Sequence, residues 1–424
     1  MSTSSFALRP AHEADWEPIL DLDYRAFHHV GPAEMAAAGR AVLELDRIVL
    51  AEEPASAHAS RTLVGEAAIY SLTMTVPGGP RPVAGVTWVA VLPTHRRRGI
   101  LTALMRHQLH GLHESGAEAV AALWASEAGI YSRFGYGAAS RRLELTIPRS
   151  PRALGWGPID PSLEVRYVEP DESVKLTQDV YDAMRLSRPG VPARTGAWRE
   201  RAILDIPSER HGASPLRCVV VTGDGARSPN GGAVRAYARY ATTLDFGDGA
   251  PRGQVRVREA EGSDPAAYAA LWRFLCDQDL TDRVAVDNRP VDDPLLHLLA
   301  DPRSAVPALR DALFVRLVDL DRALEQRTYA VPVDVVLEVS DPLCPWNERR
   351  WRLSGDATGA TCAPTTDPAD LILSTTELGA AYLGGTSLAA LARAGRVTEH
   401  RTGALGAASR AMAGVVEPWC PFVF

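Results

Sequence analysis

The stretch VTWVAVLPTHRRRGILTALM, residues 86–105, constrains the chain more than any other. A strand-like apolar run ends at Pro93, and three arginines and Gly99 follow. Apolar residues then recur at helical spacing through Ile100, Leu101, Leu104, Met105, Leu109 and Leu112. The first turn of a helix exposes amides that have no internal acceptor, and the helix dipole adds partial positive charge there. Gly99 removes a side chain where a ligand would touch backbone. The guanidinium groups of Arg96, Arg97 and Arg98 add bidentate donors. Together these features suit an anion with two phosphates. The loop by itself also admits a plainer reading, a solvated basic turn. Neither GxxxxGK(S/T) nor GxGxxG occurs, which argues against a nucleoside-triphosphate loop.

At 424 residues the chain is too long for one ordinary core, so two or three domains are expected. With 46% hydrophobic and 23% charged residues it reads as soluble and globular. Its apolar runs fall short of the roughly 18 residues that span a bilayer. The opening MSTSSFALRPAHEADWEP lacks a basic-then-apolar signal pattern. A cytoplasmic protein with no membrane partner is therefore expected. A net charge of −7 argues against a nucleic-acid partner. The five cysteines are scattered without a CxxC pair, which supports neither zinc nor a disulfide framework.

Residues 1–150 alternate strand-like and helix-like patterns. TLVGEAAIYSLTMTV, VAGVTWVAVL, AVAALWA and RRLELTI read as strands. PRSPRALGWGPIDPS, over residues 148–162, reads as a linker. Beyond it LRCVVVTGDG, AVRAYARYATTLD and GQVRVREA read as strands and DPAAYAALWRFLCDQ as a helix, an order that echoes the first region. From residue 306 the pattern changes. DALFVRLVDLDRALEQR reads as helix, or as strand then helix. In VPVDVVLEVSD, Val333, Val335, Leu337 and Val339 alternate toward one face. RRWRLSG adds a strand and ADLILSTTELGAAYLGG a strand-to-helix turn; Ser387 caps LAALARAG, which stops at Gly395. The expected class is α+β (α/β), with mixed sheets flanked by helices.

VAVLPTHRRRGILTALM, followed after 20 residues by SEAGIYSRFGYG, closely resembles the enhanced intracellular survival (Eis) family of GNAT acetyltransferases. DALFVRLVDLDRAL, ELGAAYLGG and the terminal phenylalanine resemble that family's C-terminal region. The resemblance implies an N-terminal GNAT domain that binds acetyl-CoA over residues 1–150. It implies a degenerate GNAT-like domain over 151–305 and a sterol-carrier-protein-like α+β domain over 306–424. It also implies a homohexamer. By the same resemblance, coenzyme A contacts fall on Val89, Val91, Arg96, Arg97, Gly99 and Ile100. The general acid falls on Tyr131, and the general base is the terminal carboxylate, carried by Phe424. Phe27 and His29 lie on the segment that faces the acceptor. Some relatives carry an acid there; this chain has histidine, and its penultimate residue, Val423, is not an acid either.

The residues answer what acetyl transfer to an amine requires. A backbone amide near Val89 can polarise the thioester carbonyl. Tyr131 can donate to the departing thiolate, since a phenol near 10 lies only about two units above a thiol near 8.5. The plainer role for Tyr131 is packing beside Phe134, with Tyr136 as substitute donor. The ending VVEPWCPFVF is apolar enough to dock. Docking would set its carboxylate beside the site, or serve packing alone. His107, His110 and His113 project opposite the apolar stripe of their helix, toward solvent, and no metal is expected there. Trp16 and Phe27 read as an apolar wall or as core. In VRVREAEGSDPAAYAAL, Glu259, Glu261 and Asp264 would repel a pyrophosphate, so the central domain is expected not to bind coenzyme A.

The expected function is acetyl-CoA-dependent N-acetylation of primary amines, by direct attack in a ternary complex. Aminoglycosides lead the small-molecule acceptors by resemblance, with protein lysines or polyamines next. A catalytically silent coenzyme A sensor or lipid carrier is the alternative of another class.

Overall fold

The computed structural model describes residues 6–54, 62–150, 152–223 and 232–424. The first five residues of the N-terminal stretch, Pro151 of the linker, and the last two residues of LRCVVVTGDG lie outside them. The chain forms two compact units. One comprises the residues through Ser140, Ala312–Val415 and Val423–Phe424; the other comprises Arg141–Asp311 and Val416–Phe422.

In the first unit the elements through Ser140 are β1 (Ala7–Pro10), α1 (Trp16–Phe27), α2 (Ala33–Arg40), β2 (Ile48–Glu53), β3 (Thr62–Val76), β4 (Gly79–Val91), α3 (Ile100–Ser115), β5 (Val120–Trp124), α4 (Ala128–Tyr131) and β6 (Gly137–Ala138). They form a seven-stranded sheet in the order β1-β2-β3-β4-β5, then Leu313–Leu317, then β6. Only β4 and β5 run parallel, because α3 crosses over between them. The predicted stripe of α3 is buried, Ile100, Leu104, Met105, Leu109 and Leu112 packing on Val64, Ala67, Ile69 and Val86 of one face. On the other face α1 sets Leu22 and Ala26 against Ala90 of β4.

DALFVRLVDLDRALEQR resolves as strand then helix, Leu313–Leu317 and Leu320–Glu325. Its strand enters the sheet between β5 and β6 and is buried throughout, as a near-continuous apolar run requires. Arg316, 0% exposed, is neutralised there by both oxygens of Asp341 at 2.8 and 2.7 Å. A further five-stranded sheet contains Val333–Ser340, whose Val333, Val335, Leu337 and Val339 are all buried as expected. Ser387 occupies the expected N-cap position without making the cap bond; Ser409 Oγ accepts from the Ala389 N–H instead, at 2.9 Å.

Of the three histidines expected to face solvent, His107 and His113 are exposed and His110 is half-buried. Residues far along the chain reach two of them: His110 Nε2 lies 3.2 Å from the Leu343 carbonyl oxygen, and His113, still exposed, stacks on Trp346 and pairs with Asp319. Helical projection placed His110 wholly toward solvent, because it cannot show what packs on a helix from elsewhere.

In the second unit the strands Arg217–Gly223, Val234–Thr243 and Gly253–Gly262 and the helix Pro265–Cys276 follow the predicted order. Gly253–Gly262 pairs in parallel with Thr281–Arg289 across that helix, repeating the β4–α3–β5 arrangement. RRLELTI, the strand Arg141–Pro148, pairs with Thr281–Arg289 and Ala308–Asp311, so it belongs to this second sheet. Glu259 and Glu261 do not present negative charge to a ligand. Glu259 is buried between Arg194 and Arg239 at 2.6 Å each, and Glu261 pairs with Arg289 at 2.7 Å. Asp264 instead caps the helix Pro265–Cys276, accepting from the N–H groups of Ala266 and Ala267 at 3.0 Å. The start of this helix is thus occupied by the chain's own carboxylate, whereas Gly99 at the start of α3 offers no side-chain cap.

Candidate active site

The parallel pairing of β4 with β5 covers only Ala84–Ala121 and Gly85–Ala122. Beyond Gly85 the two strands part, and β4 continues to Val91 without a neighbour on that side. The Leu92 N–H donates to the Val64 carbonyl, toward β3. Because successive amides alternate across a regular strand, that of Val91 is expected on the opposite edge, toward the gap. A strand edge past its last partner suits an extended amide-bearing chain that adds itself as a strand.

β4 is also bulged. Glu66 pairs with Ala90 but Ala68 with Thr87, so two residues, Trp88 and Val89, oppose Ala67 alone. Trp88 adopts φ +48°, a left-handed conformation costly for a large side chain. Its ring is held by a hydrogen bond from Nε1 to Tyr70 Oη at 3.1 Å and by Trp16, 5.8 Å away between centroids. Trp16 is half-buried, part of this aromatic wall rather than of the core.

At the end of β4 a short turn, Pro93–His95, leads into the arginines. Arg96 and Arg97 are exposed and make no ion pair among the described residues, whereas Arg98 reaches Glu53 at 3.3 Å. Gly99 is the N-cap of α3, with φ +83° and no side chain to satisfy the amides that follow. A Cβ there would meet nothing within 4 Å. Glycine therefore serves the backbone angle and leaves the approach to the helix start open.

Tyr131 ends α4 and packs with Phe134 and Tyr136 in the α3-side core, against which Val89 and Val91 also rest. Burial, reinforced by Glu127, pushes its phenol up to about 12, so the hydroxyl stays protonated throughout the neutral range. Tyr136 is wholly enclosed, its hydroxyl without a partner, and burial pushes it higher still. Of the two, Tyr131 keeps 8% exposure and is the better placed donor. Phe424 is buried, with its ring over Gly85, where β4 and β5 last pair. Phe27 is exposed at the end of α1, and His29 lies edge-on to Tyr24 at 5.4 Å. Among the described residues no group of three or more His, Cys, Asp or Glu side chains is arranged to hold a metal ion, and no helix is long and apolar enough to cross a membrane.

Two acids went unremarked in the sequence. Glu66 is 0% exposed, and neither of its oxygens has a hydrogen-bond partner. Asp23 of α1 is half-buried, and burial, offset in part by His29, pushes its carboxyl up to about 6. The signal was present: Glu66 is the only charged residue of β3.

A splayed parallel strand pair, a bulge at its mouth and an arginine-rich helix start define the cofactor slot of a GNAT-type acetyltransferase. Acetyltransferase (GNAT) domain models match residues 7–139 and 190–317, and a sterol carrier protein domain model matches 320–421. An uncharacterized N-acetyltransferase of Streptomyces avermitilis is 44% identical over 419 residues, 98% of this chain and 99% of its own length. N-acetyltransferase Eis of Mycobacterium tuberculosis is 34% identical over 401 residues, 91% of each chain. The crystal structure of Eis1 from Mycobacterium abscessus superposes with a TM-score of 0.79 at 33% identity, covering 99% of this chain and 100% of that one. A GCN5-related N-acetyltransferase from Anabaena variabilis shares the fold, with a TM-score of 0.82 at 20% identity. The chain belongs to the Eis family of GNAT N-acetyltransferases.

Proposed function

We propose that the chain acetylates primary amines with acetyl-CoA, by direct attack in a ternary complex, and that polyamino molecules of the aminoglycoside kind are its leading acceptors. The observation that carries this reading is the coincidence of two features on β4. Val89 and Val91 lie on the part of β4 past its last pairing with β5, and the start of α3, capped by no side chain, lies just beyond, beside Arg96 and Arg97, which make no ion pair among the described residues. An extended pantetheine arm and a pyrophosphate need this pair of features. Gly99 and Ile100 provide the close backbone approach.

Acetyl-CoA supplies the activated acyl group; the chain supplies position and protons. The terminal carboxylate of Phe424 accepts a proton from the amine, whose nitrogen bonds to the carbonyl carbon. The Val89 amide donates to the carbonyl oxygen as it gains charge. When the carbon–sulfur bond breaks, Tyr131 donates a hydrogen bond to the leaving sulfur. With the phenol near 12, stabilisation of the thiolate is the stronger part of that role. Phe27, His29 and Trp16 face the acceptor. The assembly that goes with this reading is a homohexamer, tested by sedimentation.

Thiol release from acetyl-CoA with a panel of amines tests the reading. Turnover with polyamines is the expected outcome; coenzyme A binding without turnover on any amine would make the protein a sensor.

A further inference from the structure

Glu66 has no role in the mechanism above, and its surroundings do not explain it. An acid buried without a hydrogen bond or counter-ion is costly, and proteins rarely retain one without a use. Glu66 pairs in register with Ala90, which packs on Leu22 and Ala26 of α1, so its side chain lies on the α1 face of the sheet. Four residues along the same face is Tyr70, which pairs with Gly85, the residue beneath the ring of Phe424. Glu66 and the ring of Phe424 therefore occupy one face of the sheet, the Glu66-to-Tyr70 stretch of β3 between them spanning on the order of 13 Å.

Asp23, on α1, acts electrostatically on Glu66 and is half-buried. Neither acid pairs with an arginine or lysine among the described residues, and exposed His29 is the basic group acting on Asp23. Burial, then the charge of Asp23, pushes the Glu66 carboxyl well above the usual carboxylate range. Two electrostatically coupled carboxyls accept hydrogen bonds and lack a positive charge, which an ammonium group supplies in full. Glu66 has no bond to break before turning toward one.

We propose that Glu66, electrostatically coupled to Asp23, is a second-ammonium subsite: it holds an amino group of the acceptor other than the one acetylated, so preferred acceptors carry two amines at the ends of an extended chain. This rests on the acceptor side of the transferase reading.

The test compares 1,8-diaminooctane with octylamine, the same length with one amine fewer, by thiol release and by calorimetric binding to the full chain with coenzyme A present. The wild-type chain is expected to favour the diamine at least tenfold in kcat/KM. In Glu66→Gln and in Asp23→Asn that ratio should fall toward one, while unchanged coenzyme A affinity reports an intact fold. Asp23→Asn changes a half-buried helix position and keeps the test available if Glu66→Gln folds poorly. A ratio unmoved by both substitutions, or no diamine preference in the wild type, overturns the subsite while leaving the transferase reading in place. A Glu66-dependent calorimetric preference without acetyl transfer would support the subsite and sink the transferase reading.

Discussion

A Cβ placed on Gly85 would lie 3.2 Å from Cε2 of Phe424 and 2.6 Å from Cδ1 of Leu72. The last residue of the chain is seated on the point where β4 and β5 part, and only glycine leaves it room. Gly85→Ala should therefore lower both the thermal midpoint and kcat. Overpacking of this kind costs about 1–3 kcal/mol, and the displaced ring takes its carboxylate with it. Parallel melting curves and initial rates check this; wild-type values in both would show that Phe424 does not need this seat.

Extending the chain by three residues beyond Phe424 moves the carboxylate without touching the core. We expect kcat to fall by about 100-fold or more, the scale of a lost general base, with the melting temperature held. Full activity in the extended protein would assign the base to another group.

Tyr131→Phe should lower kcat by about 100- to 1,000-fold while leaving coenzyme A affinity within twofold, because the hydroxyl acts on charge that develops only in the transition state. The group sits near 12, so its loss should not reshape the rate profile at neutral pH. An unaltered kcat would transfer the donor role to Tyr136 or to no tyrosine.

In the second unit, burial alone would raise Glu259, but Arg194 and Arg239 more than offset it and hold the carboxyl at about 2. Its folded value lies below the ordinary 4.5, so its contribution to stability is complete above that pH and disappears as pH falls toward 2. Glu259→Gln leaves two buried guanidinium groups without their counter-ion, which costs on the order of 3–5 kcal/mol. Urea titrations at pH 7 and pH 3 should show the variant closer to wild type at the lower pH. An equal gap at both would remove Glu259 from the acid limb.

Much of this was legible in residues 86–136, where the strand, the arginine loop, α3 and the Tyr131 turn are local in sequence and carry strong periodicity. Less legible were pairings between distant segments. Nothing in RRLELTI says that its partners are Thr281–Arg289 and Ala308–Asp311. Nor does LFVRL announce its insertion between β5 and β6, with Arg316 finding Asp341. The charges of Glu259 and Glu261 misled for the same reason, since the arginines that neutralise them lie elsewhere in the chain. The bulge at Trp88 depends on register with β3, which composition does not encode.

The account depends on a pyrophosphate resting against the free amides at the start of α3. Isothermal titration of coenzyme A into the wild-type chain and into Gly99→Glu tests it directly. Space at Gly99 is open but its φ of +83° strains any side chain, so Gly99→Ala is titrated alongside to report the backbone effect, and the further loss in Gly99→Glu reports the carboxylate placed where the phosphates would bind. Affinity should drop by about 100-fold or more, the loss expected when a charge-assisted anion site is blocked and its charge reversed. Equal affinity and enthalpy in the two proteins would contradict the assignment.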